Sequence, residues 1–337
     1  MGARSFPWSL AMVAVTAAAC GGASGGGPAD APAIDAVPVD APPPGAPWFD
    51  EGLRRGRIEL VEQAGPVGGA ALAHAVFAPQ PTAMRFVFYA RVAVRHWQQE
   101  TQRAGSCRLL VHQPVFCSAC AGICVAPEVC EPYPDYASAG ALTWDGLRGP
   151  PLTLQPNPYF YASQGAQLPV DAVADDATVT VTATGDQVPA FVVAAGAVAP
   201  LALPVTPITD DTLRLDGGAD VTLRWTPVDP LDPTLRVRVA INANNMGHGN
   251  PYAAVIECDA ADVGALTIPA AMIDAFPPTA RLEACEGSDC PRSTITRYRR
   301  GAVEVGGAPV DLVVGSRLEF SRPPKASAWA MLMTWPP

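Results

Sequence analysis

The chain has 337 residues and a formal net charge of −10, with 32 acidic side chains against 22 lysines and arginines. A strongly acidic chain repels phosphate groups, which argues against nucleic acid or anionic lipid as the main partner. The sequence also contains 37 prolines and 30 glycines. Proline breaks helices and glycine weakens them, so long helices are excluded and strands joined by loops are predicted.

The N-terminus has the pattern of an export signal. One charge at Arg4 precedes an apolar run over residues 8–19, which ends in three alanines followed by Cys20. The run is too short to span a bilayer, so residues 1–19 are predicted to be a signal peptide. A cysteine at the cleavage point is similar to the lipobox of bacterial lipoproteins, which makes Cys20 the predicted lipidation site. Ordinary cleavage after the three alanines, giving a soluble secreted protein, remains the alternative.

Residues 20–47 are predicted to be a disordered tether that begins at the lipidated cysteine. Asp30, Asp35 and Asp40 recur every five residues among alanine and proline, without patterned large apolar side chains. Such a segment cannot bury enough apolar surface to repay the entropy of ordering. Proline and charge repulsion keep it extended, so it spans up to ~80 Å.

Cys20 and this tether resemble a large class of uncharacterised bacterial surface lipoproteins that carry cysteine-containing β ectodomains. The resemblance implies palmitate on Cys20 and a membrane partner reached through that lipid anchor. Gly21 follows the cysteine where inner-membrane lipoproteins of this class carry aspartate. The expected location is therefore the outer membrane or cell surface, facing away from the cytoplasm.

Beyond the tether, short β-branched and aromatic segments alternate with turn signals, which is the pattern of strands. The predicted strands cover residues 57–62, 84–94, 108–111, 141–144, 159–162, 178–182, 191–195, 221–225, 235–239, 303–305 and 328–335. Residues 269–275 are predicted to form one or two helical turns with Pro269 at the first position. Residues 187–209 carry no charge, but five breaks at proline or glycine exclude a membrane helix there.

The absence of a strand–helix–strand rhythm favours an all-β fold. We expect two antiparallel β-sandwich domains, over residues 48–203 and 204–337, with a cysteine-rich loop insert at residues 107–130.

Eight cysteines follow Cys20, and in an exported chain they are expected to form disulfides rather than a metal site. Five lie in the insert and three lie in the second half: Cys107, Cys117, Cys120, Cys124 and Cys130, then Cys258, Cys285 and Cys290. Both counts are odd, so complete pairing requires at least one bond between the groups. The preferred pairing joins Cys285 to Cys290 and sends Cys258 to the insert. The alternative joins Cys258 to Cys285 and sends Cys290 across.

No motif for a catalytic nucleophile, a metal, a phosphate or a dinucleotide is present, so no catalytic residue, metal ligand or cofactor is predicted. The four histidines, including His112 and His248, are scattered. Acidic segments at residues 216–220 and 229–232 have oxygens suited to calcium, but turns between strands explain them more simply. Trp97, Tyr133 and Tyr136 suit a sugar or protein ligand, although aromatic residues more often cover the end of a core.

Two functions follow from these patterns. The favoured one is a non-enzymatic surface or envelope module that binds a protein or a glycan, without nucleic acid as a partner. The alternative is a secreted hydrolase whose site is assembled from distant residues. A concave pocket with convergent polar groups, including His112 or His248, would favour the enzyme.

Overall fold

The structure is a computed structural model that describes residues 47–49, 56–63, 80–81, 98–112, 116–121, 123–131, 138–156, 172–174, 176–201, 205–209, 212–245, 252–276 and 293–320. All of them belong to one compact unit, Ala36–Pro337.

Strands dominate these residues, and one short helix accompanies them. The strands are β1 (Gly56–Gln63), β2 (Gln80–Pro81), β3 (Gln98–Ala104), β4 (Cys107–His112), β5 (Ile123–Ala126), β6 (Val129–Glu131), β7 (Leu142–Asp145), β8 (Leu152–Leu154), β9 (Thr178–Ala183), β10 (Phe191–Gly196), β11 (Val221–Arg224), β12 (Arg236–Asn245), β13 (Tyr252–Ala261), β14 (Ala265–Ile268), β15 (Ser293–Val305) and β16 (Ala308–Phe320). The helix is α1 (Ala270–Ala275).

An eight-stranded sheet in the order β2-β1-β16-β15-β12-β13-β4-β3 is the central layer. Its longest members, β15 and β16, have 13 residues each and form a hairpin. Gly306 and Gly307 close that hairpin, and both have positive φ (59° and 77°), as a two-residue type I′ turn requires. β1 joins β16 in parallel, whereas every other described pair in this sheet is antiparallel.

One face of the central sheet is apolar and is covered by two smaller layers. Alternate residues of a strand point to opposite faces, so on β16 the even positions from Val310 to Phe320 share a face. The end of β16 near Val310 and the end near Phe320 belong to two different buried clusters. The hairpin of β15 and β16 therefore runs beneath both cores and joins them.

The first core lies between β1, β15 and β16 and a four-stranded sheet in the order β10-β9-β7-β8. Trp144 and Leu142 are its largest fully buried side chains apart from those of β1. Each fully buried aliphatic side chain contributes about 1.5–3 kcal/mol. β10 crosses directly over β15, where a Cβ at Gly301 would overlap the carbonyl oxygen of Ala194. A glycine is needed at this crossing because the two backbones are in contact.

The second core lies between β4, β12 and β13 and a cover formed by β11, β14 and α1. The helix contributes Met272 and Ile273, both buried. Its first residue is Ala270, whose amide donates to Asp220 Oδ1 at 2.7 Å. Pro269 is the N-cap residue with an extended backbone (φ −65°, ψ 143°), so the proline precedes the helix instead of occupying its first position.

The sequence predicted a mostly β protein, and this is confirmed. Eight predicted strands overlap β1, β4, β7, β9, β10, β11, β12 and β15, and the alternating burial of Thr178–Ala183 matches its pattern. The predicted strands at 84–94, 159–162 and 328–335 lie outside the described residues. The prediction of purely antiparallel pairing is wrong for β1 and β16. The predicted strand ranges also missed two long strands of the central sheet, β13 and β16, and most of β15.

The division into domains at residue 204 stays a prediction. The central sheet takes β1, β2, β3 and β4 from before that residue and β12, β13, β15 and β16 from after it. Both cores likewise mix residues from the two halves. Among the helices in the described part of the chain, none is long and apolar enough to cross a membrane.

Candidate functional site

The second face of the central sheet carries a ladder of buried ionic side chains, centred on Asp259. Arg236 donates to Asp259 Oδ1 at 2.6 Å through its Nε. Arg238 and the hydroxyl of Tyr298 both donate to the other carboxylate oxygen, Oδ2. Asp259 is fully buried, and Tyr298 and Arg236 are almost so. Buried charges are tolerated when they are paired and hydrogen-bonded, and this carboxylate has both.

Two further pairs extend the ladder along the same face. Arg108 donates to Glu257 Oε2 from Nε and from Nη2, at 2.9 and 2.7 Å. Arg300 donates to Asp311 Oδ1 from two nitrogens as well. Each pair joins neighbouring strands, β4 with β13 and β15 with β16. The ladder thus crosses five adjacent strands of the central sheet, from β16 through β15, β12 and β13 to β4.

Trp48 lies on this ladder. Its ring centroid is 4.3 Å from the guanidinium carbon of Arg300 and 5.7 Å from that of Arg236. Its carbonyl oxygen accepts a hydrogen bond from Arg238 Nη2 at 2.6 Å. Cations over tryptophan are attracted by the ring quadrupole. These contacts attach the first residue after the predicted tether directly to the sheet.

Phe49 repeats the arrangement one residue further on. Its ring lies 4.2 Å from the guanidinium carbon of Arg108 and 5.1 Å from that of Arg103. Only 7% of Phe49 is exposed, so it is part of the packed interior. Arg103 in turn makes a bidentate pair with Glu100, and this hydrogen bond, opposed by burial, lowers the pKa of that carboxyl group.

The side chains of the ladder have a structural role. Burial raises the pKa of Tyr298 well above its ordinary value of 10, and Asp259 raises it further while Arg238 opposes the shift. A phenol held in this way keeps its proton at neutral pH and acts neither as a base nor as a nucleophile. The carboxylates are occupied by arginines. The ladder therefore stabilises the sheet and holds Trp48 and Phe49.

A second buried node lies on the apolar face, between the two cores. The Nε of Arg297 is 2.9 Å from Asp262 Oδ2, and its terminal nitrogens donate to backbone carbonyl oxygens of Pro200 and Thr226. Trp225 donates its indole N–H to Asp262 Oδ1. Burial lowers the pKa of Arg297, which Asp262 only partly offsets. This node fastens the connecting loops to β15.

The six described cysteines form three disulfides. Cys107 is bonded to Cys258, opposite it across β4 and β13. The parity prediction of a bond between the two groups is confirmed, and so is the preferred choice of Cys258. The alternative partner for Cys258, Cys285, is wrong. Cys285 and Cys290 lie outside the described residues, so their pairing stays a prediction.

Cys107 is misplaced in the prediction that assigned it to a loop insert at 107–130. It lies in a strand and is fully buried in the second core. Strand register explains the difference, because Cys107 pairs with Cys258 where β4 and β13 run side by side. The remaining described cysteines of this group lie in residues 116–121 and 123–131, after β4.

Residues 116–121 and 123–131 form what we call the cysteine-locked hairpin. Bonds join Cys117 to Cys124 and Cys120 to Cys130, over separations of only 7 and 10 residues. Pro127 and Glu128 form the turn between β5 and β6, and Glu128 has a positive φ of 60°. Its carboxylate accepts hydrogen bonds from the hydroxyl and the amide of Ser118, which lower the pKa of Glu128.

The cysteine-locked hairpin exposes apolar surface. Phe116 is 80% exposed and Val129 is 49% exposed. They are neighbours in space, because the carbonyl oxygen of Phe116 accepts the amide of Glu128, next to Val129. A small segment held by two disulfides loses little conformational entropy when a partner binds. An exposed aromatic side chain on such a support is typical of a binding contact.

Other residues singled out in the sequence have structural roles or lie outside the described residues. Asp220 caps α1, and Asp229 and Asp232 accept hydrogen bonds from amides within their own turns. His112 ends β4 opposite Gln98. The predicted candidates without a described structure are Cys20, His248, Trp97, Tyr133 and Tyr136.

Sequence reasoning missed the ladder. Its signal was a charge at every second position of a strand, as in Arg236-Val237-Arg238 and Glu257-Cys258-Asp259. Such alternation is typical of a strand with one polar face, but it does not indicate that the polar face is covered.

Within the described part of the chain, no group of three or more histidine, cysteine, aspartate or glutamate side chains is placed to hold a metal ion. Comparison with known proteins gives no match to a family model, to a curated protein or to a solved structure.

Proposed function

We propose that the protein is a membrane-anchored lipoprotein that displays a rigid, non-enzymatic binding module outside the cytoplasm. Cys20 carries the lipid, residues 20–47 hold the module away from the bilayer, and the ligand is a protein or a glycan. The resemblance of the N-terminal segment to bacterial surface lipoproteins supports the anchor and the outer-membrane or cell-surface location.

The cysteine-locked hairpin carries the proposal of binding. Phe116 is 80% exposed on a segment cross-linked twice over 14 residues, from Cys117 to Cys130. Water-exposed aromatic surface costs free energy, and covering it with a partner recovers that free energy. A partner that encloses Phe116 also gains from the rigidity of its support.

The module is proposed to act as one rigid body, even if residues 48–203 and 204–337 are the two sandwich domains that the sequence predicts. Three features support this: the disulfide between Cys107 and Cys258, the sheet shared across residue 204, and the ladder that crosses five of its strands. Rigidity suits a module whose ligand contacts must keep their geometry far from the membrane.

The test uses the full-length protein in lipid vesicles. Wild type, Phe116→Ser and the control Val192→Ser are compared for retention of glycans and envelope proteins, with turnover assayed on ester, peptide and glycoside substrates. Val192 is 54% exposed on β10, so its replacement removes exposed apolar surface away from the cysteine-locked hairpin. We expect Phe116→Ser to weaken binding by about 30-fold, the loss of a strong interface contact, with the control unchanged.

The alternative function, a secreted hydrolase, predicts a different result. Robust turnover that is lost on changing His112 or His248 would establish the hydrolase and overturn the binding module. Ligand retention that Phe116→Ser and Val192→Ser reduce equally would reject the cysteine-locked hairpin as the binding contact.

A further inference from the structure

Residues 229–235 form two consecutive turns of the same design. In each, an aspartate is followed by a proline, and the aspartate carbonyl oxygen accepts the amide three residues on: Asp232 to Asp229 at 3.1 Å and Leu235 to Asp232 at 3.3 Å. Each aspartate carboxylate also accepts the amide two residues on, that of Leu231 at 3.0 Å and that of Thr234 at 2.8 Å. Aspartate first and proline second is the preferred sequence of a type I turn.

These turns hold apolar side chains in water. Leu231 is 88% exposed, more than any other large apolar side chain in the described part of the chain. Val228, which follows β11, is 51% exposed, and Val263, in the loop between β13 and β14, is 53% exposed. The two loops are in contact, because the amide of Val228 donates to Asp262 Oδ2 at 3.3 Å and Asp262 precedes Val263. We call Val228, Leu231 and Val263 the leucine tip.

The leucine tip is supported from beneath by two ion pairs, one partly exposed and one buried. Arg299 reaches from β15 to Asp232 Oδ2 at 2.5 Å, between the two turns. Asp262, which holds Val228, is itself fixed by Arg297 and Trp225. Because these loops are already fixed, a partner that binds Leu231 does not have to order them. Binding therefore costs less conformational entropy than it would for a flexible loop. Such pre-organisation is an advantage for a contact residue and has no benefit for a side chain left in water.

We propose that the leucine tip is a second interaction surface, which inserts Leu231 into an apolar pocket of a partner protein that is bordered by arginine or lysine. The charge of the tip selects this partner. Asp229 is exposed beside Leu231, and the chain as a whole has a net charge of −10. An anionic bilayer and a second copy of this chain both place negative charge against negative charge. A basic protein surface with an apolar centre complements both features of the tip.

The test starts with site-specific cross-linking on intact cells that carry the full-length protein. A photoreactive residue is introduced as Leu231→p-benzoylphenylalanine, and the matched control is Thr234→p-benzoylphenylalanine, at the equivalent position of the second turn. We expect position 231 to give one protein adduct at least about tenfold above position 234, because only the side chain enclosed in the partner's pocket lies directly against it. The cross-linked peptide should be apolar and flanked by arginine or lysine.

The captured protein is then purified, and its affinity for the full-length chain is measured. Leu231→Asp and Asp229→Lys should each weaken binding at least about tenfold, and Val192→Asp should not. Leu231→Asp is not expected to unfold the chain because the side chain is already in water. Equal adduct yields at positions 231 and 234, an adduct with lipid or with a second copy, or an affinity unchanged by Leu231→Asp would each overturn the proposal.

Discussion

Cys107 and Cys258 face each other across β4 and β13, and the bond between them closes a loop of 151 residues. The next pair along the same two strands is Arg108 and Glu257, on the opposite face of the sheet. One pair of strands is therefore held by a covalent bond within the second core and by an ion pair on the ladder.

Removing this disulfide is expected to destabilise the protein strongly. In the chain-entropy model a closed loop of this size contributes up to about 5 kcal/mol, against about 2 kcal/mol for a loop of seven residues. We expect Cys107→Ala/Cys258→Ala to lower the free energy of unfolding in urea by about 2–5 kcal/mol, and Cys117→Ala/Cys124→Ala to lower it by less. An equal effect of the two double variants would contradict this ranking.

Mapping the bonds provides a separate check. The denatured but unreduced protein is alkylated, digested and examined by mass spectrometry. We expect a linked peptide containing Cys107 and Cys258, since both are fully buried in one core. Free alkylated Cys107 and Cys258, with no linked peptide between the two halves, would show that this bond does not form.

The ladder predicts an order of stability among conservative variants. Tyr298→Phe removes one hydrogen bond to a buried carboxylate, which costs about 1.5–3 kcal/mol. Asp259→Asn leaves the buried Arg236 and the partly buried Arg238 opposite a neutral amide. Breaking a buried pair costs about 3–5 kcal/mol. The free energy of unfolding measured in urea should therefore be lower for Asp259→Asn than for Tyr298→Phe, and lower for both variants than for wild type. The reverse order would mean that the hydroxyl, and not the arginine pairing, dominates the ladder.

The ladder also shows where prediction from sequence stops. The strand at Thr178–Ala183 was predictable because one face is buried and the other is wet, so its side chains alternate cleanly. β13 could not be predicted in this way, because Glu257 and Asp259 are charged yet buried. Their partners Arg108 and Arg236 lie 149 and 23 residues away in the sequence. β16 was missed because both of its faces are covered, so Val313 and Gly315 interrupt the alternation. Parity required a disulfide between the halves, but only strand register selected Cys107.

Asp232 predicts a dependence of stability on acid. Burial raises the pKa of Asp232, but hydrogen bonds from Thr234 and Arg299 outweigh it and hold the pKa below its ordinary value of 3.8. The folded state thus binds this proton less readily than the unfolded chain, and the stabilisation is present above pH 3.8 and is lost as the pH falls through the folded-state pKa.

The comparison that isolates this group is wild type against Asp232→Asn. The pair with Arg299 is partly exposed, so the variant should be less stable by only about 0.5–1 kcal/mol at neutral pH. That difference should shrink in acid as Asp232 is protonated, and it should shrink at neutral pH in concentrated salt, which screens the pair. A difference that persists unchanged in strong acid would exclude ionisation of Asp232 as its origin.

The proposal that the binding module is displayed outside the cytoplasm by a lipid depends on one residue, and metabolic labelling with palmitate tests it most directly. Cells expressing wild type and Cys20→Ala are labelled, fractionated and probed for the protein. We expect the wild-type chain to carry the label and to sediment with membranes, and the variant to be unlabelled and released. A Cys20→Ala protein that still takes up palmitate or remains in the membrane fraction would contradict the lipoprotein account.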